Sequence, residues 1–444
     1  MPRPLLEGQV TPQRDAAVGS RREWLRPPEA CLDYGSQVGG DTEAATSSRS
    51  DLWTIFAVQA LRALLYGFGS VLIGSALARA GYSSFKASLV FTSMLAGFAV
   101  MSIAVGTRGD YLGRRRVYAG LFVVMALAGT VFALTSSLSA LIVAALTGTI
   151  SVEANESGPI TSLEQAMIPQ AAGPASDRTR AFSRYNAIAY LAGSIGALAA
   201  GGPDFFRRFF PAVPASQRFL LAYPAVGLAC AILAMRLSRQ VEAGEELTRE
   251  RRFPLVESKG KVARLSALFA LDSFGGGFVV ASFIVFWFQR KFGASTELMG
   301  LVFFVVGLLQ SGSSIAAGWV AERIGLLNTM VFTHLPSNVL LILVPFMPNL
   351  ELAIAMLLAR FAISQMDVPA RQAYVVGVVG AAERTAAASY TNTARYVVRP
   401  GGSLLGGYVT DAVGLSSPFV IGGALKIVYD VILLATFRRV RPNE

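Results

Sequence analysis

Long, almost uncharged apolar runs dominate this sequence. A bilayer core is about 30 Å thick and takes roughly 20 apolar residues per helix. Such runs are continuous here and lack period-two alternation, which predicts helices and excludes barrel strands. With 53% hydrophobic and only 15% charged residues, most of the chain needs lipid around it. The sequence predicts an all-α integral membrane protein with about twelve transmembrane helices, segments 1 to 12, near 53–78, 87–105, 117–136, 138–163, 181–202, 219–237, 263–288, 298–317, 328–348, 350–370, 387–409 and 416–437.

The basic residues between the segments set the orientation. With the N-terminus placed in the cytoplasm, the cytoplasmic flanks hold 25 of the 39 Lys and Arg residues and the other side holds 7. This asymmetry follows the positive-inside rule and accounts for the net charge of +11 without a nucleic-acid partner. The first 50 residues lack an apolar signal-peptide core. We therefore predict a multi-pass protein of the cytoplasmic (inner) membrane with both termini in the cytoplasm.

The two halves of the chain repeat each other. Six segments then lie on each side of a basic linker. Because six is even, both halves enter the membrane from the same side, so they are parallel repeats. The predicted organisation is a disordered tail (1–50), a six-helix bundle (51–238), a linker (239–262), a second six-helix bundle (263–438) and a short tail (439–444). Four weak matches at offsets of 206 to 212 residues carry the repeat: 59–69 with 269–279, 106–116 with 318–328, 162–170 with 369–377, and 177–186 with 383–392.

The loop GTRGDYLGRRR at 106–116 carries a family resemblance. It resembles the motif G-x-x-x-D-(R/K)-x-G-(R/K)-(R/K) of the major facilitator superfamily, with Tyr111 where a base is usual. The resemblance covers about residues 50–440 and implies two pseudo-symmetric six-helix bundles that alternate in their access to the two sides. It assigns gating roles in the first half to Gly106, Asp110, Gly113, Arg114 and Arg115, and in the weaker second-half copy to Glu322 and Arg323.

Asp110 is the acid of this loop and has two interpretations. It can belong to a loop that signals topology alone, with the arginines holding the loop on the anionic side of the membrane. Alternatively, as the resemblance implies, it braces segment 2 against the N-terminus of segment 11 when the cytoplasmic side closes. We favour the gating role.

Charges inside the segments indicate a solute pathway or ion pairs. The repeat aligns Arg62 with Asp272 and Glu153 with Arg360, so equivalent positions carry opposite charges. In the resembled family, segments 1, 4, 7 and 10 line the central cavity. One interpretation assigns substrate binding and proton coupling, with arginines holding an anionic group and carboxylates carrying the proton; the other makes all of them structural ion pairs. We favour the first for Arg62, Glu153, Glu156, Asp272, Arg360 and Asp367.

Other intramembrane charges are predicted to be structural. Glu164 and Arg371, also aligned with opposite charges, are expected to pair across the halves near the cytoplasmic ends and to act as gating residues that close that side. Lys426 and Asp430, four residues apart, are expected to pair locally. The single histidine, His334, is interpreted as a local hydrogen-bonding residue and not as a proton relay.

The glycine run 275–277 leaves two interpretations open. Consecutive glycines weaken a helix, so segment 7 can bend or unwind there and expose backbone to the cavity. Alternatively, small residues allow two helices to pack closely.

The predicted function is secondary active transport. No metalloprotease, hydrolase or P-loop motif occurs, so an enzyme is not expected, and the two cysteines have no metal spacing, so neither a metal nor another cofactor is expected. We predict a monomeric transporter of a small polar or anionic organic solute, with protons as the coupling ion and efflux favoured over uptake. The alternatives are an uncoupled facilitator and a membrane sensor that binds without transport.

Overall fold

The computed structural model describes residues 34–153, 158–172, 175–212, 216–242, 255, 257–380 and 383–440, without the side chains of 34–49, 110, 172, 175–180, 183, 216 and 385. Helices account for its regular structure, and these residues form no strand. The helices of the first half are α1 (Tyr34–Arg79), α2 (Ser84–Leu112), α3 (Arg114–Leu134), α4 (Leu138–Leu146), α5 (Pro159–Ala172), α6 (Ala175–Ala199), α7 (Gly202–Phe209) and α8 (Ala222–Arg236).

The second half continues in the same way. Its helices are α9 (Lys259–Gly277), α10 (Ala281–Phe292), α11 (Thr296–Ile324), α12 (Leu326–Leu343), α13 (Leu350–Ser364), α14 (Asp367–Gly377), α15 (Arg384–Ala412) and α16 (Ser417–Phe437). Short 3₁₀ turns at Ser216–Leu221, Arg239–Val241 and Val344–Phe346 flank some of them.

Nine helical stretches among the described residues are long and apolar enough to cross a membrane. The predicted count of twelve is therefore not confirmed. Segment 4 falls short because it is interrupted between α4 and α5. Segments 5 and 11 correspond to α6 and α15, whose sequences are rich in polar residues and include charges such as Arg184 and Arg395.

Three predicted segments are each split into two helices. Segment 4 breaks between α4 and α5, segment 7 between α9 and α10, and segment 10 between α13 and α14. The residues of these breaks include Glu153, Val279 and Gln365, which line one cavity. Interrupted helices leave backbone groups without helical partners, and such breaks are tolerated at membrane depth where they line a cavity.

The helix ends define two faces of the molecule. We call the face with the loops near 113, 237–242 and 325 the basic face, and the face with the loops near 81, 293 and 414 the opposite face. On the basic face, Gly113 (φ 88°) joins α2 to α3 and Gly325 (φ 84°) joins α11 to α12. These glycines lie 212 residues apart, so the two loops are equivalent in the repeat and share a left-handed turn that favours glycine.

The halves meet through two equivalent helix pairs, α2 with α15 and α6 with α11. At the opposite face, Asp411 of α15 accepts hydrogen bonds from the backbone N–H groups of Ser84 and Phe85, both at 3.0 Å. Nearby, Arg208 forms an ion pair with Glu297 across the halves. The structure is thus tied together at the opposite face.

Candidate functional site

A cavity of about 710 Å³ lies between the two halves. Its volume is within the range of small-molecule sites. It extends toward the basic face as far as Gln165 and Gln372. The charged lining residues among those described are Arg62, Glu153, Asp272, Arg360, Asp367, Arg371, Arg395, Arg399 and Lys426.

The first half contributes a buried ion pair. Arg62 of α1 contacts Glu164 of α5 at 2.6 Å, and Glu164 is fully buried. The hydroxyls of Tyr118 and Tyr185 donate to the same carboxylate at 2.7 Å and 2.5 Å. Arg62 also hydrogen-bonds to Gln59. Further hydrogen bonds to its carboxylate favour a buried ion pair, although the Arg62 Nε is buried without a hydrogen-bond partner among the described residues.

The second half contributes an acid surrounded by bases. Asp272 of α9 contacts Lys426 at 2.6 Å, Arg371 at 3.6 Å and Arg395 at 3.8 Å. Arg371 is closer to Asp367, at 2.8 Å. Three cations therefore lie within 4 Å of the Asp272 carboxylate.

The opposite charges of the repeat form the same bridge twice. Arg62 and Glu164 are aligned with Asp272 and Arg371, and in each half the first residue contacts the second. The expected pair of Glu164 and Arg371 across the halves is therefore not formed in this structure. Each side chain contacts a partner within its own half, because helices of the same bundle lie closer to each other than to the helices of the other bundle.

An ion pair between Glu153 and Arg399 crosses the cavity. Glu153, in the break after α4, accepts a hydrogen bond from Arg399 of α15 at 2.5 Å. Arg360, the repeat partner of Glu153, lies on the cavity wall with its guanidinium 4.5 Å from the Phe361 ring. Arg360 is the one charged lining side chain among the described residues for which no hydrogen bond or ion pair is formed, and its Nε is buried. Glu156 lies outside the described residues.

The expected local pair of Lys426 and Asp430 is not formed. Lys426 contacts Asp272 instead, and Asp430 contacts His334 at 2.8 Å. The reason is geometric, since α16 packs between α9 and α12 and each charge turns to an opposite charge on a different neighbour. His334 thus lies at the cavity wall, and its interpretation as a merely local residue is too narrow.

The motif loop is bound within its own half. Glu242, after α8, accepts hydrogen bonds from the backbone N–H groups of Arg114 and Arg115 at 2.6 Å and 3.3 Å. The Arg114 guanidinium is buried and donates to Gln170 at 3.0 Å, so it does not reach toward lipid headgroups as the sequence suggested. Gly113 needs its left-handed backbone, as noted above.

The other gating candidates are placed less tightly. Gly106 is exposed on α2. Glu322 is exposed at the end of α11, and the Arg323 guanidinium stacks 3.6 Å from the Trp319 ring. The side chain of Asp110 lies outside the described residues, so its expected contact with the start of α15 stays a prediction.

Sequence reasoning missed four members of the cavity wall. Arg395, Arg399, Lys426 and Tyr185 line the cavity, but none of them was assigned to the site from the sequence. The spacing of Arg395 and Arg399 by one helical turn was a usable signal. For Lys426, the signal was obscured by the closer acid in sequence, Asp430.

This fold and cavity define a helical membrane protein with two repeated halves around a central chamber. The family model of the Major Facilitator Superfamily matches residues 55–402, and the chain belongs to this superfamily as a multi-pass membrane protein. An uncharacterized membrane protein of Saccharomyces cerevisiae is 25% identical over 421 residues, covering 87% of this chain and 94% of that protein.

Solved structures share the fold at low identity. A bacterial homolog of the human lysosomal transporter Spinster, in an inward-facing and unoccupied conformation, aligns with a TM-score of 0.68 and 14% identity, covering 88% of this chain and 95% of that one. A D-xylose–proton symporter aligns with a TM-score of 0.63 and 15% identity, covering 88% and 98%. At these identities the structural similarity establishes the fold alone. The class of solute has to be inferred from the residues of the cavity.

Proposed function

We propose that this protein is a proton-coupled secondary transporter that moves a small organic anion through the central cavity. The observation that carries the proposal is Arg360, a base on the cavity wall whose buried Nε has no hydrogen-bond partner and which forms no ion pair with the described residues. An arginine fork binds carboxylate or phosphate groups bidentately and stays charged. An anion held there would supply the missing partner.

The charge balance of the wall supports the same solute class. Six bases and three acids line the cavity among the described residues. Glu164 and Asp430, buried behind the wall, raise the acids to five, so one positive charge remains in excess. A cavity with excess charge of one sign concentrates solutes of the other sign.

Alternating access is the proposed mechanism of movement. In this structure Asp411 and the pair of Arg208 with Glu297 hold the halves together at the opposite face. The cavity reaches Gln165 and Gln372 toward the basic face, where the anion would enter or leave. We propose that Asp110, with the motif glycines and arginines, takes part in closing the basic face in the other state.

Uptake into proteoliposomes tests the proposal. We expect at least one of acetate, succinate, citrate and glucose 6-phosphate to be taken up faster than neutral glucose and uridine. Flux is to be measured in both directions and with and without a pH gradient. Anion flux that ignores the gradient would identify an uncoupled facilitator, and binding without flux would identify a sensor. Transport of the neutral solutes alone would contradict the anion proposal.

Arg360→Gln is the matching variant. A hydrogen bond to a charged group contributes about 1.5–3 kcal/mol. Its loss is expected to weaken the apparent affinity for the anion by about tenfold to a hundredfold. Arg207→Gln is the control, because Arg207 is exposed on α7 outside the cavity lining. Equal loss in both variants would remove Arg360 from the site.

A further inference from the structure

The single histidine of the sequence lies between two buried carboxylates. His334, on α12, is 6% exposed at the cavity wall. Its Nδ1 lies 2.8 Å from Oδ1 of Asp430, and its Nε2 lies 3.6 Å from Oδ1 of Asp272. The imidazole therefore connects the cavity acid Asp272 to the fully buried acid Asp430.

Hydrogen-bond roles around the ring indicate which nitrogen can accept a proton. The Asp430 carboxylate is an acceptor, and the Asn338 amide already donates to its other oxygen at 3.1 Å. Nδ1 also lies 3.1 Å from the Asn338 amide nitrogen, which can only donate. We assign the hydrogen of a neutral imidazole to Nδ1, because the Asp430 carboxylate is nearer, at 2.8 Å, and can only accept. Nε2 then presents a lone pair toward a carboxylate oxygen of Asp272, so two acceptors face each other. A proton on Nε2 would supply the missing donor and turn this contact into an ion pair.

The surrounding charges are balanced when the imidazole is neutral. The acids and bases that face the ring or its partners are Asp272 from α9, Asp367 and Arg371 from α14, Arg395 from α15, and Lys426 and Asp430 from α16. The Tyr429 ring of α16 packs edge-on against the imidazole, 5.9 Å between centroids. Three acids oppose three bases, so a proton on His334 adds one positive charge that an incoming anion can balance.

We propose that His334 Nε2 binds the transported proton and that anion and proton bind together. This inference rests on the proposed function and assigns the coupling to a residue. A proton from cavity water forms the Nε2–H bond, and the same bond breaks to return the proton to water on the other side. We assign the proton to His334 and not to Asp272, because three cations already contact the Asp272 carboxylate. Histidine is the side chain whose charge changes near physiological pH.

Nuclear magnetic resonance of the full chain tests the proton site without any substrate. Protein labelled with ¹⁵N-histidine and placed in lipid bilayers gives the signal of one imidazole. We expect this signal to pass from the imidazolium to the neutral form between pH 5 and 9. An imidazole that keeps one protonation state over this pH range would overturn the proposal. That outcome includes the case in which Asp430 binds the proton instead.

Two variants locate that proton. At the pH of half-protonation in the wild type, Asp430→Asn should lower the imidazolium fraction by about threefold or more, because a neighbouring negative charge is lost. Lys426→Gln should raise the imidazolium fraction. It is the second test variant, to be used if Asp430→Asn does not fold. Asp204→Asn is the control, since Asp204 pairs with Arg79 at the opposite face. Equal shifts in control and test variants would contradict the assignment.

Transport by His334→Gln separates this inference from the proposed function. Glutamine can still donate to Asp430 but binds no proton. With whichever of the six panel solutes the wild type takes up, we expect exchange at equal concentrations to persist and accumulation driven by a pH gradient to be lost. Accumulation that persists would overturn the inference while leaving anion transport intact. If no panel anion moves, the proposed function fails and the resonance experiment still decides the proton site.

Discussion

At the scale of single residues, the cavity wall is built from one design used twice with reversed charges. Arg62 and Glu164 in the first half, and Asp272 and Arg371 in the second, occupy equivalent positions. The surroundings differ, however. Tyrosine hydroxyls complete the shell of Glu164, whereas three cations surround Asp272. We infer that the first bridge is structural, in contrast to the substrate-binding role expected for Arg62, and that the second bridge belongs to a network that can exchange partners.

Glu164→Gln tests the structural role of the first bridge. Removing one partner leaves Arg62 buried and unpaired, which is expected to cost about 3–5 kcal/mol of stability. The double variant Arg62→Met with Glu164→Gln should recover much of that loss, because no buried charge remains. Thermal unfolding in detergent measures both, with Glu297→Gln of the exposed pair at the opposite face as control. A fully stable single variant would exclude the structural role.

At the scale of elements, the glycine run of segment 7 combines the two interpretations that the sequence left open. Helix α9 ends at Gly277, and α10 begins at Ala281, so the helix does break. The same glycine also packs closely, because a Cβ at 277 would lie 2.3 Å from the carbonyl oxygen of Arg399. Backbone of α15, which carries the cavity arginines, thus rests directly on the break.

Gly277→Ala is expected to destabilise the protein by about 1–3 kcal/mol, because the methyl group meets backbone that must shift. It should also weaken anion transport through displacement of Arg399. Gly276→Ala is the matched control, since its Cβ would meet only the end of the Lys426 side chain at 3.6 Å, an ordinary contact. Thermal unfolding and uptake compare the two. Equal effects would show that helix propensity, and not close packing, determines the role of the run.

How much of the structure could be predicted from the sequence depends on whether a feature is set by local signals or by contacts between distant residues. Apolar length and the motif at 106–116 are local signals, and they led to the helical membrane class and the superfamily that the family model confirms. The resemblance also implied that segments 1, 4, 7 and 10 line one cavity, and Arg62, Glu153, Asp272 and Arg360 lie on its wall. The ion-pair partners of these charges could not be predicted. Lys426 pairs with Asp272 and not with Asp430 because of the packing of α9 against α16. The breaks in segments 4, 7 and 10 likewise depend on contacts between helices.

At the scale of the whole molecule, the pair of α2 and α15 offers a latch at each end. At the opposite face, the Asp411 carboxylate of α15 caps the first N–H groups of α2, which are otherwise without helical partners. The gating role proposed for Asp110 is the reverse arrangement, in which an acid at the end of α2 would cap the start of α15. We infer that the two halves exchange one cap for the other as access alternates.

Asp411→Ala should therefore favour opening of the opposite face. Loss of an N-terminal cap costs about 1 kcal/mol, which corresponds to roughly a fivefold change in a conformational equilibrium. Spin labels at Ser137→Cys and Val413→Cys, exposed positions of the two halves at this face, are expected to show a larger population at long distance, with Cys31 and Cys230 replaced. Arg79→Gln is the control, because its ion pair with Asp204 lies within one half and should leave the distances unchanged. Unchanged distances in Asp411→Ala would mean that the cap stabilises α2 alone and does not hold the two halves together.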